Sequence, residues 1–161
     1  MIQAQLAGFL AQAPVNFEQV TPDWTGVEQV CREINFGLDD VQAASWGRFS
    51  SMNIEALVDE PELILIGTVG FVSTAGKRKM LSKKLKFGSV AYEQIREYRP
   101  VEHADPRGLG KYGIEFYGAG GIFLGRLQWQ WKAKRFGDSR PQIIAVANER
   151  DRILSVLQAL L

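Results

Sequence analysis

Cysteine is scarce in this chain: Cys31 is the single one in 161 residues. That excludes an internal disulfide and a multi-cysteine zinc site, and it points to a reducing compartment. No apolar run reaches the 18 residues or so that a membrane-spanning helix needs. The first twenty residues, MIQAQLAGFLAQAPVNFEQV, have no basic n-region, and Gln and Ala interrupt their apolar positions, so they do not read as a signal peptide. A cytoplasmic location is the expectation. There is one histidine, His103, and no GxSxG, HExxH, P-loop or Rossmann fingerprint. Neither an internal repeat nor a low-complexity segment is present. An enzyme is not expected, nor is a cofactor or a metal.

What the chain does have is ordinary globular material, 46% hydrophobic and 23% charged, and enough length for one good core plus an extension. The net charge of +1 conceals two electrostatic halves. Residues 1–60 hold nine acids against Arg32 and Arg48, a net of −7, and residues 61–161 hold seventeen bases against nine acids, a net of +8. The division expected is an acidic, largely helical extension over 1–60 and a basic domain over 61–161. Opposite fields attract at long range, so the extension is expected to dock on the domain, the alternative being an interface to another chain or a second copy.

In the extension, residues 3–12 predict a short helix ending before Pro14. Residues 23–36 predict a second, with Val27, Val30, Cys31 and Ile34 at helical spacing and Gly37 as its stop. Asp39 or Asp40 is expected to cap a third helical turn through Val41, Ala44 and Trp46. Cys31 falls within an apolar set, so it reads as a core residue.

After Pro61 the period becomes alternating. Leu63–Val72 predicts a long strand curved at Gly67 and Gly70, and Leu81–Val90 a return strand with Leu85 and Phe87 opposite Lys84 and Lys86. Ile95–Val101 is a third strand, and Ala104–Gly110 reads as a loop. Tyr112–Tyr117 and Ile122–Trp131 pair across residues 118–121, a glycine-rich turn able to supply positive φ. Leu127, Trp129 and Trp131 alternate with polar residues, which gives one core face and one wet face. Gln142–Ala147 is expected as the last strand. Asn148–Leu161 closes the chain as an amphipathic helix, with Ile153, Leu154, Val156, Leu157, Leu160 and Leu161 on its buried face and Glu149 and Asp151 in its first turn.

The hairpin with a basic turn, the SVAYEQIREY junction (Ser89–Tyr98) and the terminal helix together make residues 62–161 resemble a bacterial pleckstrin-homology-like (PH-like) domain. The resemblance implies an α+β fold: an antiparallel PH-like barrel closed by the C-terminal helix, here with a mostly helical N-terminal extension. It also implies a non-catalytic module that binds proteins or peptides or, in some relatives, phosphoinositides.

The anion-binding candidates are Lys77, Arg78, Lys79, Lys83, Lys84 and Lys86, six cations in ten residues with no acid between them. They suit anionic lipid or polyphosphate, and equally a solvated turn and strand face. A nucleic-acid site would add Lys132, Lys134, Arg135, Arg140 and the aromatics Trp129, Trp131 and Phe136. The alternation argues that Trp129 and Trp131 are core, and a pI near 7.8 is low for such a site. His103, between Glu102 and Asp105, lacks the spacing of a recognised catalytic or metal site and reads as exposed. The reading is a binding or scaffolding module that contacts a protein or peptide, with anionic lipid or polyphosphate as the alternative ligand.

Overall fold

The central strand of the sheet comes from residues expected to be helical. The computed structural model describes residues 2–11, 22–51, 62–75, 85–105, 109–132 and 140–161. In it, β1 spans Ala43–Ser50, and the third helical turn is replaced by a short 3-10 turn at Leu38–Asp40 followed by this strand. Ala43, Ala44 and Ser45 are all buried. A strand covered on both faces shows no alternation, so helical and strand readings of such a stretch cannot be separated by period.

Six further strands follow: β2 (Glu62–Ile66), β3 (Gly70–Ala75), β4 (Phe87–Ala91), β5 (Glu97–Asp105), β6 (Leu109–Tyr117) and β7 (Phe123–Lys132). They form one antiparallel sheet in the order β4-β3-β2-β1-β7-β6-β5. β1 belongs to both halves of it. Ala43 to Gly47 pair with β2, and Arg48 to Ser50 pair with β7. The expected closed barrel is corrected: β4 and β5 stand at opposite ends of the order, and the sheet is open. Curvature alone does not close a barrel, because the last strands must also bond to each other. Here β4 is five residues long and β5 carries Pro100, which has no N–H to offer.

The expected long strand over residues 63–72 is two strands. Gly67 N–H donates to the Gly70 carbonyl at 2.9 Å across a tight turn. A Cβ on Gly70 would lie 2.6 Å from the Val90 carbonyl oxygen, so close strand approach requires glycine there. At the β6–β7 turn Gly120 and Gly121 take φ of 70° and 74°, as the glycine-rich stretch predicts.

Helix α1 spans Ile2–Ala11 and α2 spans Trp24–Glu33. Asp23 caps α2, its carboxylate accepting from Gly26 N–H at 3.1 Å. The helix stops at left-handed Asn35 (φ 56°) rather than at Gly37, with Phe36 N–H donating to the Cys31 carbonyl and Asn35 N–H to that of Arg32. Both helices pack on the outer face of β1–β3. Leu6, Val27, Val30 and Cys31 meet Ala44, Leu63, Leu65, Val72 and Leu85, with Ile34 and Phe36 at the margin. The seam is apolar, so burial rather than opposite charge holds these helices down. Burial, with the Glu28 carboxylate second, pushes the Cys31 thiol up to about 11.

Helix α3 runs from Arg140 to Leu160, eight residues earlier than Asn148, and takes in the expected last strand. The run QIIAVA is short, apolar and partly β-branched, a pattern shared by strands and buried helix segments. Pro141 sits in the first turn, where a missing N–H costs nothing. Val146, Ile153 and Leu157 enter the inner core with Ile64, Ile66, Phe71, Ile114, Phe116, Leu127 and Trp129. Leu161, expected on the buried face, is 42% exposed. No helix among the described residues is long and apolar enough to cross a membrane.

Candidate functional site

Where β1 leaves β2 and turns to β7, the sheet opens a mouth. Beyond Gly47 no strand among the described residues lies beside the edge of β1 that had faced β2, which begins at Glu62. Phe49 points inwards there and packs edge-on against Phe71, with ring centroids 5.6 Å apart. Its ring also fills the space that a side chain at Gly88 or Gly125 would need: a Cβ at either would lie 2.5 or 2.3 Å from it. Around this plug lies a groove of about 350 Å³, lined by Arg48, Phe49, Ser50, Ser51, Glu62, Lys86, Phe87, Gly88, Ser89 and Leu124. Its lining mixes Phe49, Phe87 and Leu124 with Arg48, Glu62, Lys86 and three serines, and one wall is the edge strand β4. Glu62 is engaged across the rim, accepting from Ser73 Oγ at 2.7 Å.

Of the six cationic candidates, Lys86 is described: it is exposed and lines this groove. Lys77, Arg78, Lys79, Lys83 and Lys84 lie outside the described residues. The basic segment joins β3 to β4, so it is the third connection of the sheet and not its first hairpin. Sequence reasoning missed the apolar part of the groove. Leu85 and Phe87 were expected on one face, opposite Lys84 and Lys86; Leu85 is buried and Phe87 is 42% exposed. The one available signal was Gly88 in the middle of FGSVA, where a glycine marks a close approach to another group.

The wet face of β5–β7 carries a second depression of about 270 Å³, over Gly113, lined by Val101, Glu102, His103, Lys111, Tyr112, Glu115, Arg126 and Gln128. His103 is exposed and stands opposite Lys111 in the ladder. Glu115 is already engaged by Arg126 Nε at 3.0 Å and by the Tyr117 hydroxyl at 3.2 Å. Burial, then the Glu115 carboxylate, holds the Tyr117 phenol above its ordinary value. No group of three metal-ligating side chains occurs among the described residues. Of the nucleic-acid set, Lys134, Arg135 and Phe136 lie outside the described residues, and Trp129 is fully buried, which removes it as a stacking platform.

A buried polar cluster lies under α3. Trp129 Nε1–H donates to Ser45 Oγ at 2.9 Å, and Ser45 donates to Glu149 Oε1 at 3.1 Å. Arg152 donates through Nε to the same Oε1 at 2.8 Å, pairs with it again through Nη2, and reaches the Ala44 carbonyl at 2.8 Å. Glu149 was expected in the first turn of the helix. It is 0% exposed and well inside the helix. One residue on, Arg150 donates to the Val101 and Gly113 carbonyls at 3.0 and 3.3 Å and to Glu102 at 3.1 Å, with its guanidinium over the Tyr112 ring. These bonds fix where α3 lies on the sheet. The groove at β4, by contrast, is concave and adjoins an edge strand.

Comparison with known proteins returned no matching family model, no matching curated protein and no matching solved structure.

Proposed function

We propose that the chain is a non-catalytic binding or scaffolding module of the PH-like kind, with its sheet left open, which works in the cytoplasm and takes a protein or peptide segment at the mouth beside β4. The observation that carries this reading is the groove in which Phe49, Leu124 and the exposed Phe87 adjoin an edge strand. Binding sites are concave and combine apolar side chains with placed polar groups, and this groove sets Phe49 and Leu124 beside Arg48, Glu62, Lys86 and three serines. The PH-like part rests on consecutive antiparallel strands followed by one packed C-terminal helix, and on the SVAYEQIREY junction.

The test is photo-crosslinking in cells with p-benzoylphenylalanine at Phe87 and, as control, at the exposed Ile144 on α3. A discrete adduct at 87 and none at 144 is expected. No adduct at 87, or the same adducts at both positions, would overturn the reading.

A second reading is binding of anionic phospholipid or polyphosphate through residues 77–86, favoured by the exposure of Lys86 at the groove rim. Under it, charge reversal at Lys77, Arg78 and Lys79 weakens binding to phosphatidylserine vesicles and flattens its salt dependence. Unchanged vesicle binding would remove it.

A further inference from the structure

The two ends of the sheet are guarded very differently. Edge strands are templates for unwanted pairing, and charges or proline on them are the common protection. β5, EYRPVEHAD, has both: Pro100 and the charged residues Glu97, Arg99 and Glu102. β4, FGSVA, has neither. Its main chain is also turned the right way. Ala75 N–H donates to the Lys86 carbonyl, and antiparallel bonds alternate along a strand. Lys86, Gly88 and Val90 therefore face β3, while Phe87 and Ser89 direct their N–H and C=O groups away from the sheet.

We propose that β4 is a receiving edge, and that its occupant is an extended peptide carrying an acidic residue two positions from an apolar one. This deepens the reading of the mouth as a protein or peptide site and rests on it. Side chains of an added strand alternate between faces. Beside Gly88, the inward one lies over Phe49 and Leu124, where an apolar group is wanted. Two positions along, on the same face, it lies beside the exposed Lys86. Main-chain bonds supply affinity, and the alternate pockets supply selectivity.

The probe is a fluorescein-labelled peptide, TVTLTETVT, measured by anisotropy against the full chain. Two versions N-methylated at alternate residues, in opposite phases, and a version with lysine for glutamate complete the set. One methylated phase is expected to lose at least about tenfold in affinity and the other to change little, because only one phase points its N–H groups at β4. Lys86→Glu should reverse the preference between the glutamate and lysine peptides, with an unchanged melting temperature.

Equal binding of both methylated phases would overturn the added strand while leaving a binding groove in place. So would failure of every peptide to bind when the Phe87 crosslink still forms. Failure of both would remove the binding reading itself. A dimer in sedimentation that Ser89→Pro converts to monomer would show that a second copy, and not an acidic peptide, occupies the edge.

Discussion

Replacing Glu149 by alanine should be among the most damaging changes outside the apolar core. The substitution removes the acceptor shared by Ser45 Oγ and Arg152, and it leaves a guanidinium whose side chain is 26% exposed without its carboxylate. Breaking a fully buried pair by deleting one partner costs about 3–5 kcal/mol. Arg152 is partly wetted and keeps its bond to the Ala44 carbonyl, so that share falls to about 2 kcal/mol. The orphaned Ser45 hydroxyl adds about 1 kcal/mol or more, and the space left at a fully buried position adds to both. The sum is roughly 3–4 kcal/mol, a large share of the stability of an ordinary domain and about 10 °C in melting temperature for a chain of this size. Urea unfolding read through tryptophan fluorescence, with Trp129 bonded to Ser45 as the reporter, measures it directly. The companion variant, Glu149→Leu with Arg152→Met, should recover most of the loss, because a buried pair replaced by apolar groups of similar size is close to neutral. A single variant within 1 kcal/mol of the parent, or a double variant as unstable as the single, would refute the account.

Leu157→Ala should cost about 2–5 kcal/mol and Leu161→Ala under about 0.5 in the same titration, since Leu157 is fully buried and Leu161 is not. Gly8→Ala, with nothing within 4 Å of the new Cβ, should stabilise α1 by about 0.5–1 kcal/mol, whereas Gly70→Ala should destabilise because its Cβ would meet the Val90 carbonyl oxygen. Cys31 should make stability fall as pH rises from its ordinary value near 9.0 towards about 11. In that window the unfolded chain releases the thiol proton and the folded chain keeps it. Cys31→Ala should flatten the fall in alkaline denaturation, and identical slopes would contradict the burial account.

How far the sequence foretold the structure depended on whether an element has two different faces. α2 was readable because Asp23 caps it and Val27, Val30, Cys31 and Ile34 repeat along one side. The β6–β7 hairpin was readable because Leu127 and Trp129 alternate with Arg126 and Gln128 next to a glycine-rich turn. β1 was not, because it is covered on both faces. Residues 142–147 were not, because a six-residue apolar run fits strand and helix alike until Pro141 and Val146 are seen on α3. Glu149 and Arg152 carry the spacing of a solvated helix pair, and only the arrival of Ser45 from across the fold makes them interior. In the candidate site, cations were easy to find by counting, whereas the packing of Phe49 against Gly88 depends on the approach of two strands distant in sequence.

The shared strand β1 sets an order of events during synthesis. Its first half finds β2 soon after both emerge, but Arg48 waits for Gln128, about 80 positions later. At bacterial to eukaryotic translation speeds that wait is on the order of ten seconds. During it α1, α2 and β1–β4 can assemble their own apolar seam, while the inner face of the same strands stays bare until α3, later in the chain than all seven strands, covers it. The nascent chain is therefore half-finished for far longer than a helix or hairpin needs to form. A chaperone that shields Ile64, Ile66 and Phe71 in that interval would be protecting the surface on which α3 later settles.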